Sequence, residues 1–152
     1  MTVDASGRVL LIVDDDPDDR MFTREALLAV ATGLDVREVA DGIEFLDYLR
    51  SPAPDRPFPD LVLLDLKMPR MNGFEALEAV RADPSLRHLA IVTVFTTATD
   101  PEFVLRTYAE GANAFLGKPA TREGIASAMR VLAEYWFGTV SLPPRGPGPL
   151  AR

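Results

Sequence analysis

The chain has 152 residues, 47% of them hydrophobic, which suits one domain with a sizeable core and leaves no room for a second folded module. Its 23 acidic against 16 basic residues give a net charge of -7, which argues against tight binding to a phosphate backbone, so no nucleic-acid partner is expected. The absence of cysteine excludes disulfides, thiolate zinc sites and thiol catalysis, and a single histidine, His88, removes most imidazole mechanisms. Met1 to Gly7 holds no signal peptide and no apolar run approaches the ~18 residues of a membrane span, so the protein reads as cytosolic with no membrane partner.

In chain order, residues 1–7 are read as a flexible N-terminus, followed by a strand near 8–14 and a helix near 17–31. Asp16 is placed to cap that helix, with Pro17 at its first position and Asp18 and Asp19 facing its dipole. A strand near 34–39 and a helix near 42–50 come next. Ser51 to Pro59 carries four prolines in nine residues, which makes it a lengthened loop rather than helix or central strand. The pattern resumes with a strand near 61–65 and a helix near 73–82. His88 is read as a surface residue ahead of a strand near 90–95. A helix near 101–111 starts on Asp100-Pro101-Glu102, a second proline-led cap. A strand near 113–117 and a helix near 122–137 complete a domain spanning 8–137, and the Pro-rich run 138–152 reads as an extended or disordered tail. The strands are short and apolar nearly throughout, as expected where helices cover both faces, so the fold class is α/β, a doubly wound five-stranded parallel sheet.

Four of these strands end in polar residues of different kinds. Val9 to Val13 runs into Asp14-Asp15-Asp16, Leu61 to Leu64 into Asp65, Ile91 to Phe95 into Thr96, and Ala114 to Gly117 into Lys118-Pro119. In an open parallel sheet the carboxyl ends of all strands share one edge, where ligands bind, so these residues are expected to form one pocket. If Asp14, Asp15 and Asp65 converge to about 5 Å, the three repulsions cost on the order of 10 kcal/mol at an effective dielectric of 20. Lys118 offsets one charge, and about two remain, the complement of a Mg²⁺ ion held by carboxylates and water. A metal, an ammonium and a hydroxyl are also the groups that stabilise a transferring phosphoryl group. Asp65, at the end of the central strand, is then the best candidate nucleophile for an acyl phosphate. Thr96 would supply the hydroxyl, although Thr97 and Thr99 offer the same group. Lys118 would bind a phosphoryl oxygen and pair with Asp65 beforehand, aimed inward by a cis Lys118-Pro119 peptide. Arginine carries the surface charge elsewhere, 14 Arg against 2 Lys, which sets Lys118 apart.

The series LLIVDDDPDD, LVLLDLKMPRMNGFEAL, IVTVFTTA and GANAFLGKP resembles, in order and spacing, the receiver domain of two-component response regulators. The resemblance implies a flavodoxin-like (βα)5 sheet of strand order 2-1-3-4-5 and phosphorylation of Asp65 by a sensor histidine kinase. It further implies Mg²⁺ on Asp15, Asp65 and the backbone carbonyl of Lys67, with Asp14 helping through water, Thr96 and Thr97 at the phosphoryl group, Lys118 as the essential lysine and Phe115 as the aromatic switch. Lys67 and Ala98 fall at the positions that tune dephosphorylation in that family, and Gly117 stands where a β-branched residue is more usual.

A narrower similarity, carried by the long loop before the third predicted strand, the TTA run and EYWFGTVSLPP, is to single-domain regulators paired with bacterial and cyanobacterial phytochromes. It implies a phytochrome-type kinase and a homodimer formed through the face of the fourth helix, fifth strand and fifth helix or through the C-terminal extension, with Tyr135, Trp136 and Phe137 as interface candidates. The resulting expectation is a stand-alone, non-enzymatic phosphoacceptor in a phosphorelay whose output passes through protein partners or dimerisation. The alternatives are a receiver-like adaptor that is never phosphorylated and an aspartate-nucleophile phosphatase. The phosphatase is disfavoured because Lys67 stands where that class places its second acid.

Overall fold

The computed structural model describes residues 2–86 and 91–144; His88 and the tail beyond residue 144 lie outside the described residues. Its elements are β1 (Val3–Asp4), β2 (Val9–Val13), α1 (Pro17–Val30), β3 (Ala31–Thr32), β4 (Asp35–Val39), α2 (Gly42–Arg50), β5 (Leu61–Leu64), α3 (Gly73–Ala82), β6 (Ile91–Thr96), α4 (Pro101–Ala109), β7 (Ala114–Gly117), α5 (Arg122–Ala133) and a terminal π-helix (Glu134–Thr139). Five parallel strands form the main sheet in the order β4-β2-β5-β6-β7. Counted over the five predicted strands this is 2-1-3-4-5, the flavodoxin-like order.

Period two in the strands sorts side chains onto two cores. Leu11, Val13, Val62, Leu64, Val92 and Val94 point to the side covered by α2 and α3. Leu10, Ile12, Leu61, Leu63 and Phe95 point to the side covered by α1 and α5. Both faces of β2 and β5 are therefore dry, and every residue of those two strands is buried. The edge strand β7 is only half-buried, and α4 buries a single residue, Thr107.

The helix caps follow the sequence with one exception. Asp16 Oδ1 accepts the amides of Asp18 at 2.9 Å and Asp19 at 3.3 Å, Asp41 caps α2, and Asn72 and Glu75 form a capping box on α3. Asp100 precedes Pro101 as expected but its side chain caps nothing. Its backbone carbonyl takes the amides of both Phe103 (2.9 Å) and Val104 (3.1 Å), so the first turn is closed without the carboxylate.

Both ends depart from the sequence reading. The segment read as flexible contains β1, which pairs in parallel with β3, and the Ala5 amide donates to the Thr32 carbonyl at 2.8 Å. At the other end the helix continues past residue 137 as a π-helix that includes Gly138 and Thr139. Gly138 lies against Val3, where a Cβ would come within 3.1 Å of Val3 Cγ1. Arg8 then ties the ends together: its Nη1 donates to Asp60 Oδ1 at 3.1 Å and to the Pro143 carbonyl at 2.7 Å. These contacts between distant positions have no periodic signature in the sequence.

Thr93, in the middle of β6, is fully buried and its hydroxyl has no hydrogen-bond partner among the described residues. Replacing it with valine removes an unsatisfied polar atom at little change in shape. Thr93→Val is expected to raise the stability by about 1 kcal/mol in urea denaturation; a lower midpoint would mean that the hydroxyl has a partner.

Candidate functional site

The carboxyl ends of β2, β5, β6 and β7 carry the polar residues singled out in the sequence. The backbone amide of Asp65 donates to the Val13 carbonyl at 3.0 Å, and that of Lys118 donates to the Thr96 carbonyl at 2.7 Å, so adjacent strand ends are held in register up to the pocket. Asp14, Asp15 and Asp65 come together with one carboxylate oxygen from each lying within 4.8 Å of the others. Asp14 and Asp65 are buried, whereas Asp15 is open to solvent.

Lys118 reaches into this cluster with 4% of its side chain exposed. Its Nζ lies 2.6 Å from Asp14 Oδ2, 3.0 Å from Asp19 Oδ2 and 3.3 Å from Asp65 Oδ2. The expected pairing with Asp65 is present but is the longest of the three, and Asp14 is the main partner. The inward aim needs no special isomer: there is no cis peptide bond among the described residues, in contrast to the cis Lys118-Pro119 bond expected from the sequence. The register with β6 and the parity of the strand already direct the side chain to the α1 side.

Asp19 was expected only as a first-turn acid of α1, and sequence reasoning missed its contact with Lys118. The signal that could have found it is the run Asp14 to Asp19 itself, since the N-terminus of α1 follows a strand end after only three residues.

The electrostatics fit a cation. Burial is the strongest influence on Asp14 and raises its pKa above the ordinary 3.8, against the pull of its Lys118 hydrogen bond and the Asp16 amide. Burial likewise works against the charge on Lys118, but the Asp14 hydrogen bond and the charges of Asp65 and Asp14 outweigh it and hold the ammonium well above the usual lysine range. Three carboxylates around one ammonium leave the pocket with surplus negative charge. Hard carboxylate oxygens in that surplus suit a divalent cation of the Mg²⁺ type.

Asp65 divides its carboxylate between two directions. Oδ1 accepts the Leu66 amide at 2.7 Å, and Oδ2 faces Lys118. Gly73 packs directly over this segment, where any Cβ would collide with the Asp65 carbonyl oxygen. The loop between them bears exposed Lys67 and is latched by Arg70, the only non-glycine residue with positive φ (64°) among those described, whose guanidinium pairs with Asp41 at 2.7 Å.

Thr96 is buried at the end of β6, and its Oγ1 accepts the Ala98 amide at 3.2 Å. Thr97 is exposed beside it. Phe115 is half-buried against the α2/α3 core, and its amide donates to the Tyr108 hydroxyl at 3.2 Å. Of the aromatic trio near the C-terminus, Trp136 and Phe137 pack against the α1/α5 core and only Tyr135 is largely exposed.

The response regulator receiver domain family model matches residues 10–130. The chain is 32% identical over 142 residues to the probable methanogenesis regulatory protein FilR2 of Methanothrix harundinacea, covering 93% of this chain and 88% of that one. It is 27% identical to response regulator Rcp1 of Synechocystis, covering 90% and 93%. The crystal structure of the Mn²⁺-bound form of Rcp1 superposes with a TM-score of 0.82, covering 90% of this chain and 99% of that one. The crystal structure of the phosphorylated cyanobacterial phytochrome response regulator RcpA, 29% identical, superposes with a TM-score of 0.83, also covering 90% and 99%.

The raised pKa of Asp14 fixes the sign of a pH effect. Its contribution to stability is full below the unfolded value and is lost as the pH rises through the higher folded value. Asp14→Asn is therefore expected to raise the melting temperature of the metal-free protein at neutral pH, with the gain fading as the pH is lowered through the carboxylate range. Added Mg²⁺ should raise the melting temperature of the unmodified protein more than that of Asp14→Asn. Scanning calorimetry of both proteins checks this, and equal responses to Mg²⁺ would remove Asp14 from the cation site.

Proposed function

This chain belongs to the response regulator receiver domain family, and from that premise we propose that it accepts a phosphoryl group from a sensor histidine kinase onto Asp65 in a Mg²⁺-dependent reaction. The observation that carries the reading is the convergence of Asp14, Asp15 and Asp65 at one sheet edge, with the buried ammonium of Lys118 paired to Asp14 and Asp65. Asp65 is the candidate nucleophile because it ends a strand buried on both faces, with one oxygen oriented by the Leu66 amide and the other toward Lys118. One of its carboxylate oxygens forms the bond to phosphorus while the bond from phosphorus to the donor breaks, and the donor leaves with that electron pair. No proton needs to be removed from a carboxylate, so no general base is required. Asp14, Asp15, Asp65 and the Lys67 carbonyl would hold Mg²⁺, which supplies charge for the phosphoryl oxygens.

The response to phosphorylation would start at Thr96. A phosphoryl group on Asp65 adds charge next to Lys118 and offers an acceptor to the Thr96 hydroxyl. To turn toward it, Thr96 would give up the Ala98 amide, loosening the segment that leads into α4. Thr97 and Phe115 flank that route. On the far side α4 exposes Leu105 (73%) and Tyr108 (49%), and the last helical segments expose Val131 (65%) and Tyr135 (52%). These residues suit a protein partner or a second copy of the chain, so output passes through association rather than catalysis. Trp136 and Phe137 serve the core rather than this surface. A phytochrome-type kinase is the proposed donor, supported by the similarity to RcpA.

Incubation with acetyl phosphate and Mg²⁺ is expected to add one phosphoryl group by intact mass, to add none without Mg²⁺, and to add none in Asp65→Asn. Lys118→Ala is expected to slow the incorporation by roughly tenfold or more. Labelling of Asp65→Asn at the normal rate would end the assignment. The paired substitution Leu105→Glu with Val131→Glu is expected to shift any phosphorylation-dependent dimer toward monomer in analytical ultracentrifugation, with incorporation unchanged; a dimer of undiminished strength would move the interface elsewhere.

A further inference from the structure

With Asp65 read as the phosphoacceptor and Asp14 and Asp15 as cation ligands, one acid at the site is left without a task. Asp19 Oδ2 lies 3.0 Å from Lys118 Nζ, closer than Asp65 Oδ2 at 3.3 Å. The contact is not a by-product of helix capping, because Asp16 already takes the amides of Asp18 and Asp19. An ammonium has three N–H donors. Asp14, Asp19 and Asp65 account for all three, and the longest contact goes to the residue that is to react. The side chain of Lys118 is almost fully buried, so no water competes on equal terms, and what one carboxylate gains in lysine charge the others lose.

We propose that Asp19 is a positioning residue that competes with Asp65, and with the phosphoryl group Asp65 would carry, for the charge of Lys118, and so holds phosphorylation back. This rests on the reading of Asp65 as phosphoacceptor. The sign follows from charge. Phosphorylation replaces one negative charge at Asp65 with about two on the phosphoryl oxygens, so repulsion from Asp19 grows at the moment when Lys118 is most needed. Asp19 belongs to the first turn of α1, so the same contact links that helix end to the state of the site.

The test is the rate of phosphate incorporation from acetyl phosphate, in which phosphorus forms a bond to Asp65 as its bond to the acetate oxygen breaks and acetate leaves with the electron pair. Asp19→Asn keeps the shape and removes the charge, and Asp19→Ser is a second neutral variant should the first fold poorly. Both are expected to incorporate phosphate about three- to tenfold faster than the unmodified protein at low salt, with the ratio falling toward one as ionic strength rises. In the metal-free protein the ¹H–¹⁵N signal of the Lys118 ammonium, slow to exchange behind three acceptors, is expected to shift and to exchange faster in both variants. If the unmodified protein takes no phosphate, the phosphoacceptor reading falls and this proposal with it. If it does, and both variants react at its rate or slower, the proposal alone is overturned. An acceleration that ignores salt, or a Lys118 signal that does not move, also overturns it.

Discussion

The site depends on one buried positive charge. Taking an ammonium out of water costs several kcal/mol even after relaxation, and its partners must return that cost through close contacts. Lys118 meets the requirement with three carboxylates. The same contacts explain why the acids can share a pocket at all. Asp14, Asp15, Asp19 and Asp65 bring four negative charges against the one of Lys118, an excess of three. That excess must be offset, and the structure offers two means: the oxygens of Asp14, Asp15 and Asp65 are spaced to share a cation, and Asp15 is open to water, while burial raises the pKa of Asp14 above its ordinary value.

Topology decides who meets Lys118. Period two places Asp14 in line with Leu10 and Ile12, Asp65 in line with Leu61 and Leu63, and Lys118 in line with Leu116, all of which face the α1/α5 core. The lysine therefore emerges on the side of the sheet where α1 begins, within reach of Asp19. Thr96 has the opposite parity, that of Val92 and Val94, and its hydroxyl is bonded to the Ala98 amide instead of sharing the ammonium. One strand-end site is thus divided between a charged half beneath α1 and a hydroxyl half beside the loop to α4.

The parts of this arrangement that follow local rules were legible in the sequence. The five strands, the cap at Asp16, the proline-rich loop and the convergence of Asp14, Asp15, Asp65 and Lys118 each rest on periodicity, a capping preference or the geometry of a parallel sheet, and the structure has them where expected. What was missed depends on contacts between distant segments. The β1–β3 pair is two residues long, too short for any period to register. The idle carboxylate of Asp100 depends on how one turn closes. The cis bond at Pro119 was inferred to aim a lysine that strand register aims without it. Tyr135, Trp136 and Phe137 look alike as a sequence, yet two of them fill a core whose other wall includes Val3 near the far end of the chain.

Burial is uneven across the fold, and so is the cost of moving its elements. β2 and β5 carry the acids and are buried throughout, and α1 and α5 close over the same core, so moving any of them would expose fully packed leucines at about 1.5–3 kcal/mol each. β7 is a half-buried edge strand and α4 buries only Thr107, so their displacement disturbs far less apolar surface. Low-stability elements are the ones that move in conformational switching. Thr96 and Lys118 sit at the ends of β6 and β7, on either side of α4 in sequence, and the Tyr108 hydroxyl joins α4 to the Phe115 amide on β7. A change in what Thr96 and Lys118 hold would therefore act on the part of the molecule that costs least to move, while the carboxylates that create the demand would stay fixed in the part that costs most.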